Sequence, residues 1–290
     1  MYNVGLVLEG GGMRGIFTAG VLDFFIEKGI EFAEIIGVSA GACHACSYVS
    51  KQHGRAKAIS IDYLDDKRYC SIYSLITTGN LFGEKFAYDD IPNRLNLFDN
   101  ESFIRSKTRL FATVTNVETG KAEYIELKDL KRDMEALRAS ASLPLLSRIV
   151  EFGDNKYLDG GMADSIPVKQ MEDKGFSKNV AILTRPKGYI KKPSRVNKYL
   201  VKLRYKRYPK LIEQIENRSQ SYNKAVKYIE EQEAKGNIFV IRPKQPLIID
   251  RIEKDKLKLE KVYYIGYECA REKYGKLIEF LENENLYILF

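Results

Sequence analysis

The sequence predicts an α/β fold of three layers, in which helices cover both faces of a central, mostly parallel β-sheet. Along its 290 residues, short apolar runs alternate with longer segments of helical periodicity. The early apolar runs contain few polar residues, which is typical of strands that are buried on both faces. Glycine clusters follow these runs, at the points where tight strand-to-helix turns are expected.

The N-terminal elements are the most clearly marked. We expect a strand over Val4–Leu8 and a helix over Gly15–Lys28, where apolar side chains recur at helical spacing before Gly29. A second strand is expected at Ile35–Val38, and the small residues after Ser39 predict a second helix. The alternation of strand and helix favours parallel pairing of the two strands.

The later segments extend this pattern. Residues 55–100 carry mixed signals, so we expect helices and loops there without clear boundaries. We then expect a hairpin of two strands, Leu110–Val117 and Ala122–Leu127, and a helix over Asp133–Ser140. Two further strands are expected over Val180–Thr184 and Ile238–Ile241. A long C-terminal helix is expected over Ile252–Glu282, interrupted near Gly266 and Gly275. We expect one domain over residues 1–290, with a motif-bearing core at about 4–168 and a C-terminal strand and helices within 169–290.

The composition favours a soluble, cytoplasmic protein. The formal net charge of +8 suits a membrane surface, a phosphate-bearing substrate or a nucleic acid, and equally an inert basic surface. The four cysteines are too few and too scattered for a secreted disulfide scaffold. The N-terminal residues do not resemble a signal peptide, and no apolar stretch is long enough to span a bilayer, although peripheral membrane contact stays open.

A glycine-rich loop, GGGMRG at residues 10–15, lies between the first strand and the first helix. Successive glycines let the backbone turn sharply and expose N–H groups, and the following helix N-terminus also attracts negative charge. The loop therefore suits an oxyanion hole, a phosphate cradle or a tight turn alone. Gly10, Gly12 and Gly15 match the dinucleotide-binding spacing, but the acidic residue that this motif needs at the end of the next strand is absent.

The second motif is Gly37-Val38-Ser39-Ala40-Gly41, a Gly-x-Ser-x-Gly sequence between a strand and a helix. The glycines remove side chains that would collide where the chain doubles back. The serine then stands on a strained turn above a helix N-terminus, and the N–H group of Ala40 can help to hold an oxyanion. This context favours a nucleophile, although a serine in a glycine turn or at an N-cap is the simpler interpretation.

A nucleophilic serine needs a base, and the histidines are poorly placed for that role. His44 lies five residues past Ser39 on the expected helix and points away from it, at about 100° per residue. His53 lies farther along the chain. A carboxylate in a desolvated pocket can accept the proton instead, because burial raises its basicity. Asp159, which precedes two glycines, places a carboxylate on a tight turn, although an Asp-Gly turn alone is usually only a turn.

Taken together, the glycine loop, the Gly-x-Ser-x-Gly turn and the later Asp-Gly-Gly resemble the patatin-like phospholipase family in order and spacing. Two segments on either side of the acid, RASASLP at 138–144 and DSIPV at 164–168, resemble the family as well. The resemblance runs from about Val4 to Val168. Many relatives carry asparagine where Ser165 stands, and this departure bears on secondary contacts near the site.

The resemblance implies a serine acyl-ester hydrolase that acts on lipids through an acyl-enzyme, with Ser39 as nucleophile and Asp159 as its sole catalytic partner. The oxyanion would be held by backbone N–H groups of the loop, with a contribution from the turn: Gly10, Gly11, Gly12 and Ala40. Arg14 would orient the loop or meet a substrate phosphate, and a structural ion pair is an equal alternative. Neither a metal nor an organic cofactor is implied.

Two further features have competing interpretations. Cys43 and Cys46 flank His44, but a structural zinc site needs four ligands and no second cysteine pair follows, so buried thiols are favoured. Residues 185–210 are basic, free of acidic residues and interleaved with Tyr and Leu. This segment suits an anionic lipid surface, a nucleic acid or a solvated surface; beside an esterase, lipid fits best and nucleic acid is not expected.

The alternative function is a non-catalytic module. Such a module would bind phosphates through the glycine loop at 10–15 and anionic lipid through residues 185–210. It would not need a reactive serine, so labelling of Ser39 by an active-site probe separates it from the hydrolase.

Overall fold

The structure, a computed structural model, describes residues 1–193, 198–250 and 252–283. Within these ranges its framework is an eight-stranded sheet. In chain order the strands are β1 (Tyr2–Leu8), β2 (Phe32–Val38), β3 (Arg109–Asn116), β4 (Ala122–Leu127), β5 (Val150–Phe152), β6 (Asn155–Asp159), β7 (Asn179–Ile182) and β8 (Ile238–Ile241).

The sheet is parallel at its centre and antiparallel at one side. Its order is β5-β6-β3-β2-β1-β7-β8, with β4 also paired to β3. Neighbouring strands within the run β3-β2-β1-β7-β8 pair in parallel. By contrast, β4 and β6 pair antiparallel with β3, and β5 pairs antiparallel with β6. Leu8 at the end of β1 pairs with Gly37 near the end of β2. The glycine loop and the serine turn therefore leave the sheet side by side, at the carboxyl ends of two neighbouring parallel strands.

Helices cover both faces of this sheet, which confirms the expected three-layer α/β class. Within the described ranges they are α1 (Ile16–Glu27), α2 (Ala40–Val49), α3 (Arg55–Asp62), α4 (Ile72–Thr78), α5 (Asn100–Arg105), α6 (Leu130–Ser140), α7 (Val168–Asp173), α8 (Lys198–Arg204), α9 (Pro209–Ala234) and α10 (Lys256–Glu282). Alternate strand side chains face opposite layers: Leu6 and Leu8 join the core with α1 and α10, whereas Val7 packs with α7 and α9.

Most of the expected elements are present with small shifts at their ends. The expected hairpin is confirmed as β3 and β4, which pair antiparallel from Leu110 opposite Leu127. The mixed region contains α3, α4 and a π-helical segment, Phe86–Leu95. The short pair β5 and β6 was not expected from the sequence, and it matters because β6 ends on Asp159.

The C-terminal helix corrects one expectation, because α10 runs without interruption through Gly266 and Gly275. A methyl group on Gly266 would overlap the carbonyl oxygen of Phe17 in α1 and lie 2.8 Å from its carbonyl carbon. Gly20 of α1 faces the backbone of Tyr263 in the same way. Glycine at 266 thus allows two helix backbones to touch, whereas a methyl group on Gly275 would meet nothing within 4 Å.

The C-terminal region shares the sheet with the N-terminal region, because β7 and β8 continue it outward from β1. The single-domain organisation over 1–290 stays a prediction. Among the described residues, no helix combines the length and the apolar character that crossing a bilayer requires.

Candidate active site

Ser39 lies on the turn between β2 and α2 with a strained backbone. Its φ of 54° and ψ of −122° are unusual for a residue with a side chain. The flanking glycines are needed: a Cβ on Gly37 would lie 2.6 Å from the nitrogen of Ala42, and one on Gly41 would lie 2.8 Å from the carbonyl oxygen of Leu8. The turn therefore has the strained strand-to-helix geometry that lifts a serine side chain above the sheet.

The glycine loop packs directly against this turn. A Cβ on Gly10 would lie 3.1 Å from the carbonyl oxygen of Val38 and 3.3 Å from the Cβ of Ser39. Gly12 has a φ of 57°, which favours glycine, and it begins a short 3-10 turn that leads into α1. Gly10, Gly11 and Gly12 line the same cavity as Ser39, so loop backbone and serine meet at one site.

Asp159 is buried at the end of β6 and lines that cavity too. Its Oδ1 accepts a hydrogen bond of 2.8 Å from the N–H group of Gly161, and its carbonyl oxygen accepts one of 2.9 Å from the hydroxyl of Thr115. Its own N–H group donates to the carbonyl oxygen of Ser142 at 2.8 Å. The turn that follows Asp159 thus fixes its carboxylate, and the neighbouring segments at Thr115 and Ser142 fix its backbone.

The histidines lie outside this arrangement. His44 is on α2 beside Gly15, and it lines a different cavity from the one that contains Asp159. Burial lowers the pKa of His44 to about 4, so the imidazole is neutral at pH 7. His53 lies beyond the C-terminal end of α2 and lines neither cavity. His44 thus borders Ser39 from that different cavity, whereas Asp159 shares with Ser39 the cavity lined by Gly10, Gly11 and Gly12, and we take Asp159 as the candidate base.

Ser39 lines two cavities of different character. The first, called here the apolar cavity, is surrounded mainly by hydrophobic side chains, among them Tyr69, Phe82, Tyr88, Ile91, Met134 and Leu137. The second, called here the basic cavity, is lined by Asp159, the glycine loop and five basic residues: Arg14, Arg185, Lys191, Lys192 and Arg218. A serine at this junction can meet a molecule with one apolar part and one anionic part.

Comparison with known proteins assigns this arrangement to a family. A family model described as patatin-like phospholipase matches residues 6–171, which is more than half of the chain. The chain belongs to the patatin-like phospholipase family. Its enzyme class is therefore that of the lipid ester hydrolases.

Beyond the patatin-like region, a second family model, a domain of unknown function (DUF6363), matches residues 208–282. The uncharacterized protein YjjU of Escherichia coli is 28% identical over 271 residues, covering 92% of this chain and 76% of YjjU. Lysophospholipase NTE1 of Meyerozyma guilliermondii is 28% identical over 186 residues, covering 62% of this chain but only 12% of NTE1. VipD of Legionella pneumophila, a solved structure, gives a TM-score of 0.44 at 14% identity, covering 98% of this chain and 67% of VipD.

Two contacts of the patatin-like site were missed at the sequence level. The N–H group of Ser39 donates to the Oγ of Ser140, at 2.9 Å, across 101 residues of sequence. Arg218 of α9 donates from Nε to the carbonyl oxygen of Gly161 at 2.6 Å. Ser140 lies in the RASASLP segment, whose resemblance to the family indicated a part of the site but assigned no role to Ser140 itself. No sequence motif pointed to Arg218.

Ser165 and Arg14, two other residues singled out in the sequence, lie close to these contacts. Ser165, the departure from the family pattern, donates from Oγ to the carbonyl oxygen of Gly161 at 2.8 Å and thus still supports the turn after Asp159. Arg14 is buried and lines the basic cavity.

The two neighbouring cysteines, Cys43 and Cys46, lie at the apolar cavity. Cys43 and Cys46 are free thiols that line the apolar cavity, and burial raises the pKa of Cys43 to about 12. No group of three or more His, Cys, Asp or Glu side chains suited to a metal occurs in the described part of the chain.

Proposed function

We propose that the protein hydrolyses acyl esters of lipids with a Ser39–Asp159 dyad. The observation that carries this proposal is the strained Ser39 turn, which shares one cavity with the buried Asp159 carboxylate and the glycine loop. The lysophospholipase name of NTE1 adds support for a phospholipid or lysophospholipid substrate. We place the apolar part of the substrate in the apolar cavity, because that cavity borders the serine.

The reaction proceeds in two steps. Asp159 removes the proton from the Oγ of Ser39 as that oxygen attacks the ester carbonyl carbon. Backbone N–H groups stabilise the negative oxygen, each by roughly 3–4 kcal/mol in comparable sites: Gly10, Gly11, Gly12 and Ala40. The ester bond breaks, and the alcohol leaves with the proton from Asp159. Water, deprotonated by the same carboxylate, then attacks the acyl-enzyme; the bond between the acyl carbon and Oγ breaks, the fatty acid leaves, and Asp159 returns the proton to the Oγ of Ser39.

The test is turnover of a p-nitrophenyl ester and a lysophospholipid by purified variants. We expect Ser39→Ala to reduce hydrolysis to background and Asp159→Asn to reduce kcat by roughly 10³-fold, because the general base is lost. Asp154→Asn, an exposed carboxylate on the β5–β6 hairpin, is the matched control and should keep wild-type kcat. Full activity in Asp159→Asn would overturn the dyad, and the absence of hydrolysis by the wild type would favour the binding-module alternative.

We also propose that the protein is cytoplasmic and contacts anionic membranes through the basic segment at 185–210. Residues 194–197 of this segment, including Arg195, lie outside the described residues. Helix α8 is amphipathic: Val201 is buried, whereas Tyr199 and Leu203 are 71% and 58% exposed beside basic residues. Exposed apolar side chains flanked by positive charge suit an anionic lipid interface.

Tyr205 links this helix to the site. The buried Tyr205 hydroxyl accepts a hydrogen bond of 2.9 Å from the N–H group of Leu145, two residues after Leu143, which lines both cavities. Membrane contact would therefore occur near the opening to Ser39. Leu203→Asp should weaken co-sedimentation with phosphatidylglycerol vesicles by several-fold, whereas Ile248→Asp, at an even more exposed position elsewhere, should not. Equal losses in both variants would contradict this orientation.

A further inference from the structure

The basic cavity carries an excess of positive charge beside the candidate nucleophile. Its described lining includes two carboxylates, Glu9 and Asp159, against five basic residues: Arg14, Arg185, Lys191, Lys192 and Arg218. Four of these five lie beyond residue 171, where the match to the patatin-like model ends. The charge excess next to Ser39 is therefore supplied mainly by the C-terminal region.

Aromatic and backbone contacts hold these basic groups in place. The Nζ of Lys191 lies 3.6 Å from the centroid of the Tyr222 ring, and the guanidinium of Arg185 lies 4.5 Å from that of Tyr189. The two rings pack edge to face at 6.1 Å. Asn223 bonds both the N–H and the carbonyl group of Lys191, at 2.8 and 3.1 Å. The segment that follows β7 is thus fixed onto α9 with its charges facing the cavity.

Glu9 contributes negative charge to this cavity, but its carboxylate oxygens are already engaged in hydrogen bonds within the protein. One oxygen accepts hydrogen bonds from the N–H and hydroxyl groups of Thr184, at 2.6 and 3.1 Å. The other accepts a hydrogen bond of 2.9 Å from the Tyr222 hydroxyl. Glu9 is buried, and it ties the base of the glycine loop to β7 and α9. The engaged carboxylate acts as a structural link, and the five basic residues of the described lining still outnumber its two carboxylates.

We propose that the basic cavity binds the anionic phosphate head group of the lipid substrate, and that the region after residue 171 thereby determines head-group specificity. This proposal rests on the proposed function, because it places the ester carbonyl at Ser39, the acyl chain in the apolar cavity and the phosphate among Arg185, Lys191 and Lys192. Lysine and arginine recognise phosphate oxygens through charge-assisted hydrogen bonds. A neutral acylglycerol cannot form these contacts.

The test compares two substrates with one acyl chain: 1-oleoyl lysophosphatidylglycerol and 1-oleoylglycerol. We expect a higher kcat/KM for the anionic lipid, and a fall of about tenfold or more in the ratio of the two values in the Lys191→Gln/Lys192→Gln variant. Lys258→Gln/Lys261→Gln, an equal loss of two charges at a separate surface groove, is the matched control and should keep the wild-type ratio. An unchanged ratio in the Lys191→Gln/Lys192→Gln variant would overturn the proposal.

A second arm separates a lipid head group from free phosphate. Glycerol 3-phosphate and inorganic phosphate are each tested as inhibitors of p-nitrophenyl ester hydrolysis. Competitive inhibition by glycerol 3-phosphate that weakens in the Lys191→Gln/Lys192→Gln variant supports a head-group site, whereas equal inhibition by both anions in all variants argues against it. If the wild type hydrolyses both oleoyl substrates equally and Ser39→Ala hydrolyses neither, the head-group proposal fails while the proposed function stands.

Discussion

Replacing Gly266 of α10 by alanine should destabilise the protein, whereas the same replacement at Gly275, nine residues along the helix, should stabilise it. Alanine is about 1 kcal/mol more favourable than glycine inside a helix, and this gain applies at both positions. At Gly275 nothing lies within 4 Å of the new methyl group, so the gain remains. At Gly266 the methyl group would overlap the backbone of Phe17, whose carbonyl carbon would be 2.8 Å away instead of the usual ~3.5–4.0 Å.

The obstruction at Gly266 is a helix backbone, which no side-chain rotation can move aside. Overpacking of this kind costs about 3 kcal/mol, at the upper end of the usual range, so the net loss in free energy of unfolding is about 2 kcal/mol. Differential scanning calorimetry should show a fall in Tm of about 4–8 °C for Gly266→Ala and a rise of about 2–4 °C for Gly275→Ala. A Tm for Gly266→Ala equal to or above that of the wild type would refute the close contact between α1 and α10.

Two other perturbations test the surroundings of Ser39. Ser140→Ala removes the acceptor for the Ser39 N–H group and should lower kcat by about tenfold with little change in KM. The control is Ser142→Ala, whose hydroxyl donates to the carbonyl oxygen of Arg138, and it should keep wild-type kcat. Equal effects of the two variants would contradict a positioning role for Ser140. The folded-state pKa of His44, about 4, is below its ordinary value of 6.5, so the unfolded chain binds the proton more tightly and His44 reduces stability as pH falls through this window. The Tm of the wild type relative to His44→Gln should fall between pH 6.5 and 4, and a constant difference would contradict the burial of this imidazole.

The parts of the site that the sequence predicted are those with local causes. The turn at Ser39 requires glycine on both sides because backbone atoms lie within 3 Å of the missing side chains, and this requirement is visible in five consecutive residues. The glycine loop and the hairpin of β3 and β4 are likewise set by neighbouring residues. The pairing of Ser39 with Asp159 rested on the family resemblance, because no local pattern links residues 120 positions apart.

The parts that the sequence did not predict depend on distant contacts. Arg218 meets the turn after Asp159 only because α9 packs on that face of the sheet. Gly266 looked like a helix interruption, since a glycine inside a helix is locally unfavourable, and its contact with α1 became visible only in the fold. The strands β5 and β6 are too short for a periodic signal, although their hairpin carries the candidate base.

The roles of Ser39 and Asp159 are tested most directly by covalent labelling with a fluorophosphonate probe, with the labelled residue located by peptide mass spectrometry. We expect labelling of Ser39 in the wild type, a labelling rate lower by roughly 10³-fold in Asp159→Asn, and a rate close to wild type in His44→Gln. An unlabelled Ser39 in active protein would contradict these roles. So would a variant pair in which His44→Gln abolishes labelling while Asp159→Asn retains it.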